Sequence, residues 1–255
     1  MTLFDQTLTW IEGEGLLLFW SGFLAFVRVG AAMALLPAFG EQTLPVRFRL
    51  GAALAMTLVV APVVATPAQI TPMAILAEAA AGLLLGAGFR LFVIALQTAG
   101  AMAAQATSLS QLFAGAGAEP LPAISNLLTM AALALAFTTG LHLRAAEALI
   151  LSYDMLPQGR FPAAADVATW GLAQVRQSFA LAFTLASPFV IGGLLYNVAL
   201  GAINRAMPSL MVAFIGAPAL TLGGLVLLAV SAPLMMQIWL TAWQTWLTNP
   251  FALPR

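Results

Sequence analysis

Residues 105–122, QATSLSQLFAGAGAEPLP, crowd Gly115, Gly117, Pro120 and Pro122 into the end of a run of small and polar residues around Leu109, Leu112 and Phe113. Gly and Pro at that density do not sustain a helix, the first through its backbone entropy and the second through its missing N–H. The run lies between two long apolar segments. Hydrocarbon offers no partner to a bare N–H or C=O, so irregular backbone inside a membrane survives only where protein buries it or where it lines a cavity. Residues 105–122 are therefore either a turn at the bilayer surface or an irregular segment held at depth.

That the flanks are membrane segments follows from the scarcity of charge. The chain is 62% hydrophobic and 7% charged over 255 residues, where a soluble domain carries about a quarter charged residues. The apolar runs read as membrane helices, which makes the chain an all-α integral membrane protein with broken helices and, if residues 105–122 lie at depth, a re-entrant loop. Nine basic residues, every one an Arg, balance nine acidic ones, so net charge points to no nucleic-acid partner. Without Cys there is no disulfide, thiolate metal site or thiol nucleophile. The lone His142 is expected to be an interfacial or packed side chain rather than a ligand, since a metal site needs several convergent donors. The N-terminus offers Asp5, Glu12 and Glu14 in place of a basic n-region, so the first apolar segment is expected to belong to the mature protein.

Along the chain, residues 16–36 are long enough to span, ended by Pro37 and Gly40. Arg28 falls in their middle, where a charge costs at least about 2.5–3.5 kcal/mol unless protein or water meets it. A short basic connection, Arg47 and Arg49, precedes a second run over 50–64 containing Pro62, and Pro67 and Pro72 bracket a turn. In the third run, 73–104, Glu78, Gly82, Gly86 and Arg90 follow at steps of four and share one helix face. Gly82 and Gly86 form a small-xxx-small pair that admits another helix closely. Gln97, Ala101, Gln105 and Ser108 carry a small and polar stripe on into the loop.

A fourth run covers 124–141. Residues 142–165, with Arg144, Glu147, Asp154 and Arg160, read as an amphipathic connection ending near Pro157 and Gly159. From Asp166 the sequence reads as a helical hairpin with arms near 172–206 and 210–247 and prolines at 188, 218 and 233. Gly193, Asn197, Gly201 and Asn204 line one face of the first arm, a surface suited to packing in an assembly. Trp239, Trp243 and Trp246 recur at helical spacing and are expected to form an interfacial aromatic belt. With six crossings, the basic residues divide almost evenly between the two sides, so charge does not orient the chain. Together with Arg28, Glu78 and Arg90 inside apolar runs, this favours a structure built around protein and water rather than lipid.

No nucleophile with a base, metal cluster or paired carboxylate occurs at a recognisable spacing, so no catalytic residue, cofactor or metal is assigned. An ion-coupled transporter with Glu78 as a midplane acid and Arg28 and Arg90 as its companions is the alternative.

FVRVGAAMALLPAFG with LPVRFRLGAALA near the start, GLLLGAGFRLFVIALQTAGAMAAQ before the loop, and SPFVIGGLLYNVALGAINRAMPSLMVAFIGAPALTLGG near the end together resemble the FliR family of flagellar export-gate proteins, whose virulence-secretion counterparts are the SpaR-like proteins. The order and spacing of these blocks carry the resemblance over nearly the whole chain. The loop departs from the family pattern, running through an Ala-Gly stretch at 114–118 with Phe113 as its one aromatic. The resemblance implies a non-enzymatic subunit of the flagellar type III export gate in the bacterial inner membrane. It would join FliP and FliQ subunits in a helical assembly around a pore, with FlhB associated and unfolded proteins as substrates. It also implies a FliP-like portion over 1–165, including the loop, joined to a FliQ-like hairpin over 166–255. Leu109, Leu112, Phe113, Gly115, Gly117 and Pro120 would then plug the pore, with the apolar side chains keeping it dry at rest.

Overall fold

The computed structural model describes residues 15–40, 44–64, 71–107, 123–207 and 212–251, and among these every regular element is helical. In chain order they are α1 (Leu16–Leu35), α2 (Val46–Val60, continued by a 3₁₀ turn at Ala61–Val63), α3 (Pro72–Thr107), α4 (Ala123–Thr138), α5 (Leu141–Met155), α6 (Ala164–Ala206) and α7 (Val212–Thr248). By length and composition five segments can cross a membrane: α1, α2 with its 3₁₀ turn, α3, α6 and residues 219–248 of α7. The bent pair α4 and α5 makes a sixth when counted as one span. Their outer faces stay apolar, as at Phe48 and Leu58 on α2, Leu195 and Val198 on α6, and Val226 and Val230 on α7. Apolar residues on every side are what a helix carries when its surroundings are hydrocarbon or other protein rather than water.

The amphipathic connection expected over 142–165 takes the form of a helix, α5 over 141–155, followed by the turn near Pro157 and Gly159, and α6 begins at Ala164. The charged side chains lie on the outer face of α5. Arg144 and Glu147 pair there at 2.8 Å with both side chains largely exposed, while Leu141, Ala145, Ala148, Leu149 and Ser152 are buried. The break between α4 and α5 is made by Gly140, whose φ of +85° suits a residue without a Cβ.

The chain forms two compact units that interleave along the sequence. The first comprises Met1–Leu91, Thr139–Gln174 and Trp246–Arg255, and the second Phe92–Thr138 and Val175–Thr245. This is a division by contact, whereas the boundary expected between 1–165 and 166–255 rests on the family resemblance alone. The long helices α3, α6 and α7 each contribute to both units.

In the first unit, α1 packs against α2, and α2 touches α5. The closest approach is between α1 and α3. A Cβ on Gly82 would come within 2.2 Å of the Arg28 carbonyl oxygen, and one on Gly86 within 2.7 Å of that of Ala32. The helix admitted by this glycine pair is thus α1 of the same chain. Ala77, Ala81 and Leu85 are buried on the same side of α3, so small residues let backbone meet backbone where dispersion contacts are densest. Further along, Gly88 makes room for the Trp246 ring, which sits edge-on to Phe89 with centroids 4.9 Å apart.

The tryptophans do not form the interfacial belt expected from their spacing. In the second unit, Trp239 and Trp243 are 1% exposed and stack on each other at 5.3 Å. The Trp239 indole N–H donates to the Phe92 carbonyl at 3.0 Å, and Trp243 meets Phe92 edge-to-face. An indole buried this deeply needs an acceptor, and α3 supplies one. Trp246, in the first unit, is 5% exposed.

Replacing Gly82 by Ala should separate α1 from α3 and lower the apparent melting temperature of the purified protein in detergent. Gly30→Ala, at a position where an added Cβ meets nothing within 4 Å, should leave it unchanged or raise it, since Ala favours a helix over Gly by about 1 kcal/mol.

Candidate functional site

Two places in the chain concentrate polar or glycine-tight contacts. The first is a buried ion pair in the first unit. Arg28 on α1 and Glu78 on α3 are both 0% exposed. They face each other as a fork: Nε donates to Oε2 at 2.8 Å and Nη2 to Oε1 at 3.0 Å. Two of the three remaining N–H donors of the guanidinium are used as well. Nη1 donates to Ser152 Oγ at 3.1 Å and Nη2 to the Leu156 carbonyl at 2.9 Å. Tyr153 lays its ring 3.7 Å from the guanidinium carbon, a cation–π contact strengthened by the full burial of Arg28. Glu78 also accepts the Gly159 N–H at 2.7 Å, and Gly159 has φ +74°, a conformation that Gly adopts without strain.

This cluster ties α1, α3, the last turn of α5 and the 156–159 turn to one another. A buried charge pair holds only when hydrogen bonds satisfy nearly every donor and lone pair, because desolvation costs several kcal/mol per ion. Arg28 and Glu78 meet that condition, each occupied by the other and by fixed groups. Sequence reasoning picked out both charges but not Ser152, Tyr153, Leu156 and Gly159. A backbone carbonyl or N–H leaves no mark on residue type, though the polar Ser152 in an apolar run was a usable signal. Arg90, the third intramembrane charge, is half-buried on α3 and does not join the cluster.

The second place is the pair of ends from which residues 108–122 depart, both in the second unit. At the outgoing end α3 runs through Thr107, so Gln105 is still helical. A Cβ on Gly193 of α6 would come within 2.7 Å of the Ala106 carbonyl oxygen, and one on Gly224 of α7 within 2.5 Å of Thr107 Cγ2. Thr107 itself bonds back to the Ala103 carbonyl at 3.0 Å. At the returning end, Ser125 Oγ donates to the Gln97 carbonyl at 3.2 Å, and a Cβ on Gly100 would fall 2.4 Å from Ser125 Cα. Both ends are therefore fixed on the last turns of α3, with glycines on three helices giving way to them. Gly100 and Gly224 were not singled out in the sequence, where nothing separates them from the chain's other glycines.

Leu109, Leu112, Phe113, Gly115, Gly117 and Pro120 lie outside the described residues. Of the face assigned to assembly, Gly193 packs on Ala106 of its own chain. Asn197 is exposed and donates to the Gly193 carbonyl within its own helix at 2.7 Å. Gly201 and Asn204 are exposed, and an added Cβ at Gly201 would meet nothing. Among the described residues no group of three or more His, Cys, Asp or Glu could hold a metal.

Because Arg28 and Glu78 satisfy each other, removing either should cost more than removing both. Arg28→Met or Glu78→Gln alone should destabilise by about 3–5 kcal/mol. Arg28→Met combined with Glu78→Gln should recover part of that loss, as measured by a double-mutant cycle of thermal unfolding in detergent.

Residues 19–246 match the family described as "Bacterial export proteins, family 1". The chain is 34% identical over 227 residues to the flagellar biosynthetic protein FliR of Caulobacter vibrioides, covering 85% of this chain and 90% of that one. It is 28% identical over 240 residues to the protein of the same name from Escherichia coli, covering 91% and 88%, and 27% identical over 225 residues to that of Pectobacterium carotovorum, covering 84% of each. Among the described residues of the matched region every regular element is helical, and the chain belongs to family 1 of the bacterial export proteins.

Proposed function

We propose that the chain is a non-enzymatic membrane subunit of the flagellar protein export apparatus, and that residues 108–122 form a plug in the channel through which unfolded proteins leave. Its membership of the family and its likeness to three proteins named FliR support the first part. The observation that carries the second is the clamping of both ends of the segment, Ala106 and Thr107 against Gly193 and Gly224, and Ser125 against Gly100. A plug has to be displaced by a passing chain and then return. Fixed ends shorten the search for the closed position, and the small residues between them give little resistance to displacement. Leu109, Leu112 and Phe113 supply the apolar bulk, and a hydrophobic constriction closes a pore by excluding water from it.

The partners in this proposal are FliP and FliQ subunits assembled with the chain around the pore, with FlhB bound to the assembly, in the bacterial inner membrane at the flagellar basal body. The exposed Gly201 and Asn204 on the end of α6, with apolar Val198, Ile203 and Met207 beside them, offer a surface for such neighbours. The FliP-like portion is assigned to 1–165 and the FliQ-like hairpin to 166–255. A transporter using Glu78 as its coupling acid is disfavoured. Such a group must exchange partners during the cycle, whereas Glu78 is fully buried and committed to Arg28 and Gly159.

Deleting residues 115–120, or replacing Phe113 by Ala, should raise ion conductance through the reconstituted export complex. If neither change alters conductance, the plug assignment is wrong. Separately, the chain should copurify with unlike membrane subunits, and purification as a lone monomer or symmetric dimer would overturn the assembly.

A further inference from the structure

A cleft of about 490 Å³ opens in the first unit, where the last turn of α5, the 156–163 connection and the first turns of α6 meet α3 and the chain near Phe251. It shares Leu156 with the edge of the Arg28 cluster, and none of its lining residues belongs to the second place. Its walls are apolar, formed by Leu84, Phe161, Val167, Trp170 and Phe251. Trp170 is held in place by an indole hydrogen bond to the Pro250 carbonyl at 2.9 Å, and Phe251 lies alongside with ring centroids 6.2 Å apart. The wall is thus pre-formed rather than collapsible, and its volume falls within the roughly 300–1,000 Å³ of small-molecule sites.

Arg160 and Asp166 also line the cleft. Both are exposed, and among the described residues neither side chain has a hydrogen bond or an ion pair. Two unpaired charges of opposite sign beside one apolar cleft are complementary to a ligand that carries an anion, a cation and a hydrocarbon tail in the same molecule. The polar hydroxyl nearby, on Thr169, is turned to the Ala165 carbonyl of its own helix.

We propose that this cleft binds a zwitterionic phospholipid of the phosphatidylethanolamine type. The phosphate lies on the Arg160 guanidinium, which suits phosphate oxygens through two parallel N–H donors. The ammonium lies on the Asp166 carboxylate, and one acyl chain enters between Trp170, Phe251 and Leu84. An anionic phosphatidylglycerol headgroup would satisfy Arg160 but leave Asp166 facing a negative ligand, so the pair of charges selects the zwitterion.

The test uses the full-length protein with whatever subunits copurify with it, in detergent. A phosphatidylethanolamine bearing a photoreactive diazirine in its acyl chain is added and irradiated, and the adducts are mapped by peptide mass spectrometry. Adducts should concentrate within residues 155–170 and around Phe251. Labelling there should fall about tenfold or more in Arg160→Ala and in Asp166→Asn, the scale expected for one charge-assisted contact. The same probe with a phosphatidylglycerol headgroup should label less than the ethanolamine lipid, and Asp166→Asn should narrow that difference. Both substitutions are at exposed positions, and an unchanged elution profile confirms the fold. Equal labelling by the two headgroups, labelling indifferent to both substitutions, or adducts spread over the apolar surface without enrichment at the cleft would each overturn the proposal.

Discussion

An arginine in the middle of an apolar helix has to be met by something, and in this chain nearly everything about the first unit follows from how Arg28 is met. Its fork with Glu78 fixes α1 beside α3, and that proximity is possible because Gly82 and Gly86 let the two backbones touch. Two of its other donors reach Ser152 and the Leu156 carbonyl, which fixes where α5 ends. Gly159 then closes the second side of Glu78 and sets the path of the chain into α6. A pair of this kind adds little net stability over a well-packed apolar substitute, yet it penalises every arrangement that leaves one charge alone. Its effect is to exclude misassembled helices rather than to strengthen the correct one.

The second unit is organised differently, by close backbone contact and by aromatic packing instead of charge. Gly100, Gly193 and Gly224 each open a space that a neighbouring main chain or side chain fills. Trp239 and Trp243 stack beneath Phe92 and supply the largest buried rings. Contacts of this type are what remains to hold helices together where no hydrophobic driving force separates protein from lipid. They also leave the outer faces free to stay apolar for surrounding hydrocarbon or for neighbouring subunits.

Several of these features were legible in the residues alone. Helices long enough to span, the charges embedded in them and the four-residue glycine steps on α3 are properties of local sequence, and each states a local requirement. What could not be read was which element met the requirement. Gly82 and Gly86 announce a close neighbour but do not say that it is α1. Trp239 and Trp243 have the spacing of a belt as much as that of a core, and only the Phe92 carbonyl decides between them. Residues 142–155 were legible as amphipathic from Arg144 and Glu147, which decorate the outer face of α5, but nothing in them said which elements its buried Ala, Leu and Ser would meet. In each case the missing information was a backbone atom or a distant helix, neither of which has a residue type.

The sequence separations within the Arg28 cluster have a consequence for how the chain is made. Glu78 lies 50 positions after Arg28, but Ser152 and Leu156 lie 124 and 128 positions after it. At about 5–20 residues per second of synthesis, the ribosome delivers the last acceptors roughly 6–25 s after the guanidinium has emerged. For the first roughly 3–10 s Arg28 has none of these acceptors, and after that only Glu78, so α1 must be sheltered by the insertion machinery or by water until the end of α5 arrives.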